Sequence, residues 1–287
     1  MSHRTGKTHG WVSGAHFSSD SRASECSRSA TDENRLGVFP IDRDGPDGEN
    51  TGEHRMSEPL PRRTNRATFD QLFAEGAAAL AAGSHGIQTV SAEGGTRWGV
   101  SVVLRPDLRA AAALETLACE AAAVAGDGHW LTGAVDSSHL TMRALEHPRD
   151  DIRDDDPRVA RYAEALCTAA AGVRPLTFDV TGLTLTPLSV MACAMPTDEA
   201  ADRLCAAYVA ALGADAWLEN GFRRDIWYLN ILHFAAPVPD PGALIGWVAE
   251  RRESVPIRVR VTEVEIAAWR FTGTGMAPRR LAAAVLA

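Results

Sequence analysis

The chain has 287 residues, enough for one large domain or two small ones at roughly 150 residues each. Hydrophobic residues make up 45% and charged residues 23%, the composition of a soluble globular protein able to bury a core. With 29 basic and 37 acidic residues the net charge is −8, which argues against wrapping duplex nucleic acid but leaves room for one small phosphate pocket.

No run near Met1 has the length and apolarity of a secretory signal. The longest uncharged span, Val180 to Thr197, is broken by Pro187 and Pro196 and reads as two strands and a turn, not a membrane helix. Cys26, Cys119, Cys167, Cys193 and Cys205 are odd in number, widely spaced and contain no C-x-x-C pair. They read as free thiols, three of them in Ala-rich helical segments, which points to a reducing cytoplasm.

Residues 1–63 are rich in Ser, Gly, Asp, Arg and Thr and show no helical or strand period, so a disordered tail is expected. Its 9 basic and 10 acidic residues nearly cancel, which is unlike a cationic arm for nucleic acid. A start at Met56 is the alternative reading. The domain is expected over residues 64–287. Phe69, Leu72, Phe73 and Leu80 fall at helical spacing, with Thr68 as N-cap and Gly83 as stop. Arg97–Leu104 reads as a buried strand, and Pro106 opens a helix that runs to Gly126. Leu131–Val135 and Ser138–Leu145 read as extended, separated by an Asp-rich solvated loop from a helix that starts at Asp156-Pro157 and ends at Gly172.

The second half repeats this plan. Leu176–Thr186 and Leu188–Met195 are expected strands, a helix starts at Thr197–Glu199 and runs to Gly213, and Ile226–Ala235 is a third strand. Asp240-Pro241 opens a helix, and Ile257–Val261 and Val264–Phe271 close the sheet. His139 and His233 lie 94 positions apart on the corresponding strands, and the flanking helix starts lie 91 and 84 apart. That order of elements indicates an internal pseudo-duplication.

Strand alternation places His139, Thr141 and Arg143 on one face and Leu140, Met142 and Ala144 on the other. In the second unit His233 and Ala235 share a face, opposite Leu232 and Phe234. Trp130, Trp227 and Tyr228 are candidates either for base stacking or for core. His85, His129 and His147 read as exposed loop residues. Gly273-Thr274-Gly275 lacks the surroundings of a nucleotide fingerprint, and no G-x-S-x-G, Walker loop or H-E-x-x-H occurs.

His139-Leu140-Thr141-Met142, with Arg143 behind it, resembles the first H-x-[T/S]-x motif of the 2H phosphoesterase superfamily, which includes RNA 2′,3′-cyclic phosphodiesterases and 2′-5′ RNA ligase-like proteins. His233-Phe234-Ala235-Ala236 stands where the second motif belongs. The resemblance implies an α+β fold of two pseudo-symmetric lobes of antiparallel sheet, with outer helices around a His-lined central cleft. It implies His139 and His233 as catalytic acid and base, with Thr141 and Arg143 on the phosphate and no metal or other cofactor. The substrate it implies is a nucleotide or a short RNA end carrying a cyclic phosphate, and the acidic balance and the lack of a long apolar span argue against a duplex or a membrane as partner. Ala235 departs from the pattern, because one hydroxyl donor is missing. A phosphate-ligand binder that has kept the cleft but not the turnover is the competing expectation.

Overall fold

The structure, a computed structural model, describes residues 66–89, 92, 94–96, 98–153, 155–222 and 224–287. The expected tail, the Met56 alternative and Arg97 lie outside the described residues. The first half holds α1 (Arg66–Ala81), β1 (Ser101–Leu104), α2 (Leu108–Ala125), β2 (Trp130–Leu131), β3 (Leu140–Ala144) and α3 (Pro157–Ala170). The second holds β4 (Leu176–Leu185), β5 (Ser189–Pro196), α4 (Ala200–Leu212), β6 (Trp227–His233), α5 (Pro241–Ala249), β7 (Ile257–Val261), β8 (Glu263–Phe271) and β9 (Met276–Val285).

The caps explain several helix starts. Asp107 accepts from the Ala110 N–H, Asp156 from Arg158 and Val159, and Asp240 from Ala243, each satisfying donors that the first turn leaves open. Pro157 and Pro241 sit in the first turn, where a missing N–H costs nothing.

All strand pairs are antiparallel, and the sheet order is β7-β4-β5-β6-β3-β1-β8-β9, with β2 added against β6. The order is symmetric about its centre. β6, β5, β4 and β7 make one four-stranded half, β3, β1, β8 and β9 make the other, and the halves join where β3 meets β6. The expected α+β class and the pseudo-duplication take this form. The two histidine motifs therefore belong to neighbouring strands.

All five helices contribute to one core on a single face of the sheet, with Leu80, Leu114, Leu166, Leu204 and Leu244 packed against Val102, Ile266, Leu229 and Val190. On the opposite face Val103, Trp130, Ala267, Trp269, Phe271 and Met276 form a smaller cluster, flanked by Trp98 and Ala235. Val102 and Val103 are neighbours on β1 yet belong to different clusters, so the period-2 alternation sorts the two faces. Gly99, just before β1, is a close approach: a Cβ there would lie 1.7 Å from the Glu146 carbonyl oxygen.

Several expectations need correction. Thr68, expected as an N-cap, lies inside α1, and the strand expected from Arg97 begins at Ser101. The stretch expected extended over Leu131–Val135 pairs only at Trp130–Leu131 and then turns away, because Thr132 and Gly133 both donate to the single carbonyl of Ile231. Ser189–Pro196, not Leu188–Met195, bounds β5. The β9 strand was not expected at all. Its run of alanines with Arg279 and Arg280 has weak strand propensity, and Pro278 is tolerated because β9 lies at the sheet edge.

Candidate active site

The paired registers decide which side chains meet. On β3, Thr141 is opposite Val103, whereas Arg143 is opposite Val102, so a bulge at Met142 separates them. Val103 faces the aromatic cluster and Val102 the helix-covered core. On β6 a second bulge at Ile231 keeps Asn230 and His233 on one side, since they pair with Met191 and Ser189 around the irregular step. His139 precedes β3 by one residue and returns to the aromatic face, where its ring lies 4.4 Å from that of Trp269. His139, Thr141, Asn230 and His233 thus share the face that the helices leave uncovered.

His139 is held on three sides. Its Nδ1–H donates to the Ser137 carbonyl at 2.7 Å, which leaves Nε2 as the basic nitrogen. The Arg105 guanidinium fastens the preceding turn by donating to the carbonyls of Ser138 (2.8 Å) and Asp136. Burial lowers its pKa from 6.5 to about 4, against the Ser137 hydrogen bond, and the positive charges of Arg105 and Arg224 push in the same direction as burial. At neutral pH the ring is therefore uncharged and able to accept a proton.

This has a consequence for stability. The unfolded chain protonates His139 near pH 6.5, while the folded chain resists down to about pH 4. The contribution is fully present above pH 6.5 and is lost as the pH falls to 4, roughly 3 kcal/mol in all. We expect His139→Gln to flatten the fall in urea-unfolding free energy across that window. An unchanged pH slope would show that the folded protein accepts a proton there as readily as the unfolded chain.

His233 is 5% exposed. Its Nδ1 faces the side-chain amide of Gln88, which donates from Nε2 at 2.8 Å. Trp98 and Trp130 flank the ring, with centroids at 5.3 and 6.4 Å. Trp98 in turn meets Trp269 edge-on at 5.6 Å, so two indoles span the distance between the histidines. His139 lies one step beyond the Leu140–Leu229 pair, next to Asn230, and His233 stands three residues further along β6, about 10 Å of strand.

Arg143 is not brought to this group. The Met142 bulge turns it into the core side, where it is 6% exposed, donates to the Ala216 carbonyl and lies 3.8 Å from Glu219. Strand alternation alone put it beside His139, and a bulge is invisible to that pattern. Trp227 also belongs to the helix side, where it packs on Phe178 and donates to Asp202. Trp130 lies on the site face, as does half-buried Tyr228 by its pairing with Cys193.

Two loop histidines differ from expectation. His129 is half-buried, with Nδ1 accepting the Ala235 N–H at 3.3 Å and Nε2 donating to Ala125, and burial lowers its pKa. His85 packs edge-on against Phe234 and lies 3.4 Å from the Ala236 carbonyl. His147 is exposed, as read. Sequence reasoning missed Gln88, Trp98, Arg105, Arg224, Asn230 and Trp269. Trp269 alone carried a signal, since it alternates with Ala267 and Phe271 along β8 toward one face. Among the described residues no cluster of three or more His, Cys, Asp or Glu side chains suits a metal, and no helix is long and apolar enough to cross a membrane.

The fold and the site together define an α+β protein carrying a pair of histidines on the open face of one antiparallel sheet. No family model and no curated protein matches the chain. Among solved structures it is similar to TT0787 of Thermus thermophilus, at 16% identity and TM-score 0.47, over 65% of this chain and 97% of that one. It is also similar to E. coli LigT in its apo form, at 12% identity and TM-score 0.45, over 68% and 99% of the two chains. A third is a phosphoesterase, at 14% identity and TM-score 0.43, over 66% and 98%. At these values the fold assignment rests on this chain's own strands and helices, and its chemistry on its own side chains.

Proposed function

We propose that the protein hydrolyses a cyclic phosphodiester, with a 2′,3′-cyclic phosphate on a nucleotide or short RNA end as substrate, by acid–base catalysis between two histidines and without a metal. The observation that carries this reading is the placement of His139 and His233 on one face of adjoining strands, each with Nδ1 engaged and Nε2 turned away from that contact. In the reaction His139 Nε2 takes a proton from water as its oxygen attacks phosphorus. One ribose P–O bond breaks, and the His233 imidazolium protonates the departing oxygen. The low pKa of His139 suits the base, and His233 is left as the acid.

The resemblance of His139-Leu140-Thr141-Met142 to the first 2H phosphoesterase motif supports the same chemistry. Thr141 is half-buried on the site face with no side-chain hydrogen bond among the described residues, so its hydroxyl is available to a phosphate oxygen. Asn230 adds an amide beside His139, with its Oδ1 buried and unpartnered. The cations whose charge acts on His139 are Arg105 and Arg224, not Arg143. The half-exposed Trp98 offers a ring for a base.

The test is turnover of 2′,3′-cyclic mononucleotides with and without a chelator. Chelator-resistant hydrolysis supports the proposal, and activity that requires an added divalent metal defeats it. A second reading, a phosphate-ligand binder without turnover, is favoured by Ala235, which lacks the second hydroxyl and sends its N–H to His129. Ala235→Thr separates the two. One hydrogen bond to a charged group is worth about 1.5–3 kcal/mol, so we expect at least about a tenfold gain in turnover. Tighter binding of a phosphate analogue with no gain in turnover favours the binder.

A further inference from the structure

Gln88 lies outside both histidine motifs, in the segment between α1 and β1, and is 3% exposed. Three backbone bonds join that segment, the β4–β5 turn and the end of β6. Gly86 donates to Pro187, Gln88 to Phe234 and Phe234 to Leu188, at 2.8, 2.8 and 2.9 Å. The middle bond fixes Gln88 to the residue directly after His233, so its side chain has a set register to the ring. Its Nε2 reaches His233 Nδ1 at 2.8 Å, while its Oε1 is buried without a partner. A buried amide oxygen left in that state is costly unless the molecule uses it in another state.

We propose that Gln88 is a positioning residue that serves both protonation states of His233, resting on the reading of His233 as the acid. In neutral His233, Nδ1 accepts from the amide nitrogen, as observed. In the imidazolium, Nδ1 carries a proton, and a half-turn of the amide about its last torsion presents Oε1 as acceptor. The amide offers a donor and an acceptor at the same place with no net charge. A carboxylate there holds the ring charged, and an aliphatic chain gives the imidazolium nothing. The other titratable groups gathered at this end of β6 are His85, from the same segment, and His129, from the loop before β2. β5 brings Ser189, and the remaining walls are the indoles of Trp98 and Trp130.

The test is a ¹⁵N NMR titration of the His233 imidazole in the full chain, assigned by the signal that His233→Ala removes. Gln88→Glu, nearly isosteric and expected to fold, should raise the pH at which His233 titrates by about one unit, and Gln88→Leu should lower it. The basic limb of kcat/KM on a 2′,3′-cyclic mononucleotide should move in the same opposite directions, with KM little changed. Loss of packing alone does not produce shifts of opposite sign. If His233 titrates at one pH in the wild type and in Gln88→Glu, the inference is overturned, whether or not Gln88→Leu folds. If no cyclic nucleotide is turned over yet the NMR shifts occur, the proposed reaction fails and the pairing of Gln88 with His233 stands.

Discussion

Replacing His139 or His233 by alanine is expected to lower kcat/KM on a 2′,3′-cyclic mononucleotide by about 10²–10⁴-fold, the range that one positioned acid or base contributes. The two losses should not multiply. Base and acid act in the same displacement, so once one is gone the other has less transition state left to assist, and the double variant should fall little below the worse single one. His139 is half-buried at the rim of β3, and its removal should leave the fold intact. His233 is more enclosed, between Trp98, Trp130 and Gln88, so His233→Asn is the better control for packing. Steady-state kinetics with melting temperatures on the same samples check both points. Losses below threefold in folded variants would remove the histidines from the chemistry.

The sequence carried the two-histidine pairing but not its surroundings, for a physical reason. Strand alternation and cap residues are local, and they placed β3, β6 and the starts of α3 and α5 well. The residues that hold the histidines come from distant segments. Gln88 is 145 positions from His233 and Arg105 is 33 from Ser138, so no local period reports them. Arg143 shows the complementary failure. One extra residue in a strand flips everything after it, and the Met142 bulge exchanged a presumed phosphate ligand for a core ion pair. The cations whose charge acts on His139, Arg105 and Arg224, lie outside the motif.

The same ion pair sets a large expected effect on stability. Glu219, 4% exposed at the end of a 3-10 segment (Gly213–Glu219), accepts from Arg224 at 2.6 Å and from the Ala144 N–H at 2.9 Å, and lies 3.8 Å from Arg143. Arg143 and Arg224 have side chains only 7% exposed. One carboxylate is therefore the shared counter-charge of two enclosed guanidiniums and ties the segment after α4 to the last residue of β3. Removing a single partner from such a group leaves buried charge uncompensated, at about 3–5 kcal/mol. Urea unfolding of Glu219→Ala should show a loss of that size. Glu219→Gln should lose less, because its amide oxygen still accepts from Ala144 while the charge is gone. Arg143→Met should fall between them, since it removes a guanidinium along with its need for a counter-charge. If Glu219→Ala instead unfolds within about 1 kcal/mol of the wild type, Arg143 and Arg224 have water beside them. Arg143 would then have no fixed partner on the core side, and its exclusion from the phosphate site would lose its basis.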